Sequence, residues 1–163
     1  FNFKLIRRCN FGSNKISFIL FMEKEREKRY RQKIDGLIDR LEFIEENFPA
    51  SAEELKENRI IRKSLYKEFQ EIAEIISDIA AMVTKDNKKT VEDDYSNIEK
   101  LCKALKLDKT LCSTLKRANG LRNVLIHEYN GINDDLAYES ISEILPYLKL
   151  FANKIIEWLE KNF

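Results

Sequence analysis

The segment RNVLIHEY, residues 122–129, brings together side chains that could act on a phosphodiester. The guanidinium of Arg122 can hold a phosphate through two N–H groups and stabilise charge on its oxygens. The imidazole of His127, the only histidine in the chain, can accept or return a proton at neutral pH. Asn123 could orient a substrate or the imidazole, and Tyr129 adds a hydroxyl. This combination of residue types suits the cleavage of RNA.

These side chains share one site only if the helix that carries them ends at the right place. Arg122 and Tyr129 are seven residues apart and lie on the same face of a helix, whereas His127 lies about 140° away from Arg122. The three converge only if the helix ends or bends near His127. Asn130 and Gly131 follow, and both residue types tolerate the left-handed conformation that ends helices. The sequence therefore supplies a helix end that could bring the three side chains together.

The rest of the sequence offers no recognisable metal or cofactor site. It has no glycine-rich phosphate loop, and its Asp, Glu and His residues do not have the spacing of metal ligands. Chemistry at this segment is therefore predicted to be metal-independent and to need no cofactor. A purely structural interpretation is the alternative. His127 would then cap a helix end, Arg122 would pair with a surface acid, and Tyr129 would pack with its hydroxyl exposed.

Helices are the elements that must position this segment. The 163 residues include only four glycines and two prolines, and apolar residues recur at steps of three and four. This pattern predicts an all-α fold, an antiparallel bundle of four to five helices. The helices are expected over about residues 23–47, 51–87, 95–105, 111–125 and 137–158.

Local signals refine these boundaries. Ser51 and Glu54 have the spacing of a capping box, in which the two residues satisfy free N–H groups at a helix start. Asn119 and Gly120 could interrupt the fourth helix. Pro146 is expected to kink the last helix, because proline removes a backbone hydrogen bond and clashes with the preceding turn. Apolar residues of that helix alternate steps of four and three, which suits packing against a neighbouring helix at a shallow angle.

Residues 1–21 differ in composition from the remainder. They contain four basic residues and no acid, and Met22 then opens a charged helical sequence. We expect residues 1–21 to be a leader that is not part of the native domain, followed by one helical domain over residues 22–163. Without the leader, 25 basic residues stand against 28 acidic ones, a net charge of −3. This balance excludes a globally basic nucleic-acid surface, so any contact with RNA must be local.

The cysteines and the hydropathy bear on the compartment. Cys9, Cys102 and Cys112 are an odd set without a CxxC pair, and this spacing predicts neither a disulfide framework nor a zinc site. Cys102 and Cys112 are expected to pack in the helical core, in a reducing cytoplasm. The chain has no run of about 18 apolar residues, which excludes a transmembrane helix.

The segment RNVLIHEY resembles the Arg-x-x-x-x-His-x-Tyr motif of the HepT toxins, a branch of the HEPN nuclease superfamily. The resemblance extends over about residues 26–160. It includes DDYSNIEKL before the motif, NGLRN leading into it and YNGINDDLAYESI after it. Asn123 also matches, because a polar residue often follows the arginine in the HEPN pattern.

The resemblance implies a helical toxin that forms a homodimer and places two motifs in one cleft. Arg122 would bind the phosphate of an RNA substrate, and His127 would be the acid or base of an RNA endonuclease, with Asn123 in an auxiliary role. The resemblance also implies a cognate antitoxin, a minimal nucleotidyltransferase (MNT), which would neutralise the toxin by adenylylating Tyr129.

The presence of a single histidine in the chain is a chemical reason to expect a dimer. Metal-free RNA cleavage needs a base for the 2′-hydroxyl and an acid for the leaving 5′-oxygen, and two facing motifs would supply two imidazoles. Two other interpretations remain. The chain could be a non-catalytic HEPN helical binding module that docks a nucleotidyltransferase, or a structural helical dimer without a ligand. Loss of Arg122 or His127 would favour the binding module, and both residues are present.

Overall fold

The computed structural model describes the backbone of residues 6–127 and 131–163, and the side chains of residues 20–127 and 131–163. Within these ranges the chain forms six helices and no strand: α1 Ile6–Asn47, α2 Ala52–Glu57, α3 Arg59–Asp86, α4 Asp94–Leu105, α5 Lys109–His127 and α6 Asp134–Asn162. The predicted all-α bundle is confirmed, with five long helices and the short α2.

The central element of the bundle is α3, which packs against α1, α2, α4 and α5. Its apolar residues recur at steps of three and four and are almost completely buried; they include Phe69, Ile72, Ile76, Ile79 and Val83. A second buried stripe on α6, with Phe151 and Ile155, belongs to the same core, and α6 packs against α1 and α5. Burying one such side chain stabilises the fold by roughly 1.5–3 kcal/mol. Because α5 packs against both α3 and α6, the two buried stripes fix the position of α5.

The predicted second helix is divided into α2 and α3. Ser51 caps α2 as predicted, because its hydroxyl accepts the Glu54 N–H at 3.2 Å, while the Glu54 carboxylate accepts the Ala50 N–H at 2.7 Å. The prediction of one continuous helix is wrong at Asn58. The backbone of Asn58 is extended, and its side-chain oxygen accepts two N–H groups in the first turn of α3. Asparagine competes with helical hydrogen bonds in this way, and no Gly or Pro marks the break.

The first helix is longer than predicted. It begins at Ile6 and continues to Asn47 without a break. Its later part is anchored by Tyr30, which is fully buried and donates a hydrogen bond to Asp86, the last residue of α3, at 2.8 Å. Burial, followed by this hydrogen bond, raises the pKa of Tyr30 well above its usual range. That residues 1–21 are a leader outside the native domain stays a prediction.

A tight antiparallel hairpin joins α4 to α5. Lys106 adopts the left-handed conformation, with φ of 53°, and ends α4. The Asp108 carboxylate accepts the N–H of Leu111 at 2.8 Å at the start of α5. The hairpin brings Cys102 and Cys112 together, with their Cα atoms 5.9 Å apart, and the two residues form a disulfide.

This disulfide corrects the prediction that Cys102 and Cys112 would not form a disulfide framework. A separation of ten residues carries no signal by itself, because only the turn between the helices sets the distance between the two Cα atoms. Both residues pack against the core, as predicted. The argument for a reducing cytoplasm rested on unpaired cysteines and therefore no longer applies. The side chain of Cys9 lies outside the described residues.

The predicted interruption of the fourth helix is wrong, because α5 continues through Asn119 and Gly120. A Cβ atom at position 120 would lie 3.1 Å from the Tyr95 hydroxyl oxygen, so the Tyr95 side chain of α4 lies against α5 here. The last helix, α6, likewise runs unbroken through Pro146, and a kink at that residue stays a prediction. No helix in the described parts of the chain is long and apolar enough to cross a membrane.

Candidate active site

The last two turns of α5 carry three of the four predicted site residues, Arg122, Asn123 and His127. The inner face of the helix is fixed by buried residues before and within this segment, including Leu115 and Leu125. These contacts orient α5 within the bundle. Each site residue therefore points in a direction that its position in the helical repeat determines.

Arg122 lies between two carboxylates from other helices. Its Nη2 group contacts the Glu74 carboxylate on α3, and its Nη1 group lies 3.5 Å from Oδ2 of Asp94 on α4. The Arg122 side chain is only 20% exposed, whereas Glu74 is 49% exposed and Asp94 is 41% exposed. The three side chains together carry a formal charge of −1. Arg122 is therefore held at both ends of its guanidinium inside a cluster that is negative overall.

Each of these acids is held in place by its own helix. Glu74 lies on the outer side of α3, between two buried residues. Asp94 is the first residue of α4, directly after Asp93, whose carboxylate accepts the Ser96 N–H at 3.0 Å and caps the helix. The hydrogen bond from the Ser96 backbone lowers the pKa of Asp93, so the cap is charged at neutral pH. The cap fixes the start of α4 and with it the position of Asp94.

His127 is the last described residue of α5 and is exposed to solvent. The helix continues up to this residue, and positions 122 and 127 are separated by about 140° around its axis. Asn123 lies four residues before His127, on the same face of the helix, and is half-buried. Arg122 lies against α3 and α4 through its two carboxylate partners. That Asn123 supports the imidazole stays a prediction.

Tyr129 and Asn130 lie outside the described residues. The next described helix is α6. The Asn133 side chain caps its first turn by accepting the Leu136 N–H at 3.1 Å. The convergence of the Tyr129 side chain with Arg122 and His127 therefore stays a prediction.

Sequence reasoning missed Glu74 and Asp94. The structural interpretation of the motif had paired Arg122 with an unspecified surface acid, and the structure contains two such pairs. One signal could have found Asp94: an antiparallel hairpin between α4 and α5 places the start of α4 beside the end of α5. Within residues 20–127 and 131–163, no three His, Cys, Asp or Glu side chains are grouped as they would be to hold a metal ion.

Comparisons with known proteins identify the family. A family model described as "Ribonuclease HepT-like" matches residues 37–155. The chain belongs to the HepT-like ribonuclease family. Two proteins of Archaeoglobus fulgidus, each named "Putative RNase", are similar to it. One is 35% identical over 136 residues, which are 83% of this chain and 97% of the relative. The other is 29% identical over 124 residues, which are 76% of this chain and 93% of the relative.

Solved structures share the fold of this HepT-like chain. A tri-AMPylated HEPN toxin of Shewanella oneidensis, in complex with an MNT antitoxin, matches with a TM-score of 0.70 and 19% identity. The match covers 78% of this chain and 96% of that one. A toxin–antitoxin structure with AMP-PNP matches with a TM-score of 0.69 and 19% identity, over 77% of this chain and 96% of that one. At this level of identity the likeness establishes the fold.

The region that matches the HepT-like family contains the whole described site. Residues 37–155 include Glu74 and Asp94 as well as the three site residues on α5. The family resemblance predicted from the motif is therefore confirmed, and so is the HEPN-like fold. The individual roles of Arg122 and His127 stay predictions.

Proposed function

We propose that this HepT-like protein is the toxin of a toxin–antitoxin pair and acts as a metal-independent RNA endonuclease. The observation that carries the proposal is the motif on α5, where a fixed Arg122 is followed by an exposed His127 at the end of the described helix. The family and the names of the two archaeal relatives support ribonuclease activity. The Shewanella HEPN toxin, which shares this fold and is bound to an MNT antitoxin, supports the pairing with an antitoxin.

In the proposed reaction, Arg122 binds the scissile phosphodiester and His127 transfers protons. A base removes the proton of the 2′-hydroxyl, and the 2′-oxygen attacks phosphorus. The bond to the 5′-oxygen breaks, and an acid donates a proton to that leaving oxygen. The products are a 2′,3′-cyclic phosphate and a 5′-hydroxyl, so atoms and protons balance without a further reactant. Arg122 stabilises the charge on the phosphate oxygens during this step.

The reaction uses one base and one acid, and the chain has a single histidine. We therefore propose a homodimer in which two motifs face one cleft and each protomer contributes one imidazole. A specific interface of this kind should bury at least about 1,000 Å² in total. Light scattering at micromolar concentration tests this arrangement, and a monomeric protein that cleaves RNA would contradict it.

Control is proposed to act at Tyr129, through an MNT-domain nucleotidyltransferase that transfers AMP to the hydroxyl. If Tyr129 lies beside Arg122, as the motif predicts, the added phosphodiester would bring about one negative charge close to Arg122 and compete with an RNA phosphate, while its bulk would block the cleft. Tyr129→Phe should keep RNA cleavage and escape modification. The measurement is intact mass after incubation with the cognate antitoxin, ATP and magnesium. AMP-sized additions that persist in Tyr129→Phe would place the modification elsewhere.

One observation favours the alternative, a non-catalytic HEPN helical module that docks a nucleotidyltransferase. Arg122 is already paired with Glu74 and Asp94, and a cluster with a net charge of −1 does not by itself attract an RNA phosphate. Under this alternative, Arg122 would only join three helices. A purified protein that forms the complex with the nucleotidyltransferase but leaves RNA intact would support it.

The cytoplasm remains the proposed compartment, because the proposed substrate is RNA and the proposed modification uses ATP. We also propose that the native domain is residues 22–163. The alignment with the first archaeal relative covers 97% of that protein but only 83% of this chain, which leaves room for a leader without a counterpart.

The decisive experiment compares the parent protein with His127→Ala on bulk tRNA and on a labelled single-stranded RNA. Loss of the acid or base should slow cleavage by about 10²- to 10⁴-fold, with helicity unchanged because His127 is exposed. EDTA should leave the parent rate unchanged. Cleavage that stops with EDTA and returns with magnesium would contradict the metal-independent mechanism, and equal cleavage by His127→Ala would contradict the site.

A further inference from the structure

Arg122 pairs with acids from two different helices. Arg40 also contacts two acids, Glu68 and Glu71, but both of these lie on α3. Arg117, five residues before Arg122 on α5, pairs with one acid, Glu143, at 2.7 Å and is 54% exposed. Arg122 contacts two acids from two different helices and is 20% exposed. Each carboxylate takes up one of the two Nη groups, and the remaining N–H groups of the guanidinium are not needed for these contacts.

Stability alone does not account for two acids at one arginine. An exposed or half-exposed salt bridge contributes little to stability, and the second acid adds repulsion between Glu74 and Asp94. The second acid instead fixes the orientation of the Arg122 guanidinium. A long arginine side chain loses rotamer entropy when it is fixed, so a guanidinium that is already fixed loses less when a phosphate binds.

We propose that Glu74 and Asp94 are positioning residues that hold the Arg122 guanidinium in the orientation required by the scissile phosphodiester. This inference rests on the proposed ribonuclease function. Neither acid is a proton-transfer group in this scheme, since both act through Arg122. Their acceptor oxygens hold the guanidinium in place, and their negative charges weaken the binding of RNA.

The two effects can be separated by substitution. Glu74→Ala and Asp94→Ala remove both the acceptor oxygen and the charge, so Arg122 becomes mobile and kcat should fall. Glu74→Gln and Asp94→Asn keep an acceptor oxygen for the Arg122 N–H and remove the charge. These amide variants should keep most of the parent kcat and should lower KM, because one negative charge near the phosphate is gone.

The experiment is steady-state cleavage of a fluorescein-labelled single-stranded RNA at fixed ionic strength, with the full-length chain throughout. We expect kcat to fall by about tenfold to a hundredfold in each alanine variant, the loss caused by a small misplacement of a binding group. Glu143→Ala, which unpairs Arg117 on the same helix, is the matched control and should behave as the parent. Circular dichroism and melting show whether each variant is folded, and both acids are exposed enough for folding to survive their loss.

Each result decides between the possible roles. If both alanine variants keep the parent kcat while Arg122→Ala is inactive, the positioning role is wrong and the ribonuclease proposal stands. If Glu74→Gln loses as much kcat as Glu74→Ala, the positioning role is also wrong, and the Glu74 carboxylate itself takes part in proton transfer. If the folded parent cleaves no RNA, the proposed function fails, and this inference fails with it.

Discussion

Two clusters of charged residues join α3 to its neighbours, and they are built in opposite ways. In the first, the Asp134 carboxylate at the start of α6 accepts hydrogen bonds from Tyr66 at 2.6 Å and from Arg62 at 3.2 Å. One carboxylate accepts hydrogen bonds from two donors, and the single arginine neutralises its charge. In the second cluster, Arg122 pairs with two carboxylates, so the cluster has a net negative charge.

The difference separates a structural cluster from a functional candidate. The Asp134 cluster satisfies the nearly buried Tyr66 hydroxyl and places an acid at a helix start, which the helix dipole favours. Every partner there contributes to stability. The Arg122 cluster contains a like-charged pair that stability does not require, and it lies next to the motif that the sequence singles out. The proposed positioning of Arg122 would give this imbalance of charge a reason, whereas the non-catalytic alternative leaves Arg122 as a contact that joins three helices.

The largest expected effect tests this contrast directly, by removing the arginine of each cluster in turn. Arg122→Ala should lower RNA cleavage by about 10²- to 10³-fold with little change in melting temperature, because the two acids left behind are half exposed. Arg62→Ala should keep RNA cleavage. The measurements are initial cleavage rates and thermal melting of both variants. Equal loss of activity in the two variants would remove the distinction between the clusters.

The hairpin beside the Arg122 cluster gives the next largest effect. Cys112→Ser removes the disulfide that closes a ten-residue separation between α4 and α5, and should lower the free energy of unfolding by about 3 kcal/mol. The Arg122 cluster should persist at 25 °C, since Asp93 still caps α4. Urea unfolding of the parent with and without reductant provides the measurement. A parent protein indifferent to reductant would show that this disulfide does not contribute to stability.

The Asp134 cluster should respond through stability and not through activity. Asp134→Ala leaves the nearly buried Tyr66 hydroxyl without its acceptor, at a cost of about 2 kcal/mol. For a chain of this length, that corresponds to a melting temperature lower by roughly 4–8 °C. Tyr66→Phe is the matched control, because it removes the donor together with the need for an acceptor and should cost less. If Asp134→Ala melts like the parent but cleaves RNA more slowly, the structural assignment of this cluster is wrong.

The smallest effect is a dependence on alkaline pH. Burial, then the hydrogen bond to Asp134, raises the pKa of Tyr66 above its ordinary value of about 10. The folded state therefore holds this proton more tightly than the unfolded state does. This contribution to stability is fully present below pH 10 and is lost as the pH rises above it. The parent should melt at a falling temperature above about pH 10, and Tyr66→Phe should show a shallower decline, with the contribution of Tyr30 remaining.

The sequence predicted those parts of the molecule that depend on local patterns. The apolar period located α4, α5 and α6 and the end of α3 to within a few residues. The motif residues Arg122, Asn123 and His127 lie on one helix, as predicted. The sequence did not predict contacts between residues that are far apart in the chain and close together in the fold. Glu74 is 48 residues and Asp94 is 28 residues from Arg122, and neither separation shows in a helical repeat. The break at Asn58 was missed for a different reason. This one residue ends α2, where its backbone N–H donates to the Glu54 carbonyl, and begins α3, where its side chain caps the first turn.

At Gly120, the size of a side chain bears on the surroundings of a charged cluster. A methyl group there would lie 3.1 Å from the Tyr95 oxygen, closer than ordinary van der Waals contact, and Tyr95 directly follows Asp94 on α4. The neighbour that must give way is the end of the half-exposed Tyr95 side chain, and the α4 backbone is not in contact. In a helix, alanine is ordinarily favoured over glycine by about 1 kcal/mol, so a Gly120→Ala variant sets that gain against the displacement of the Tyr95 hydroxyl. Side-chain volume on α5 can therefore alter the surroundings of an acid that binds Arg122 without any change of charge.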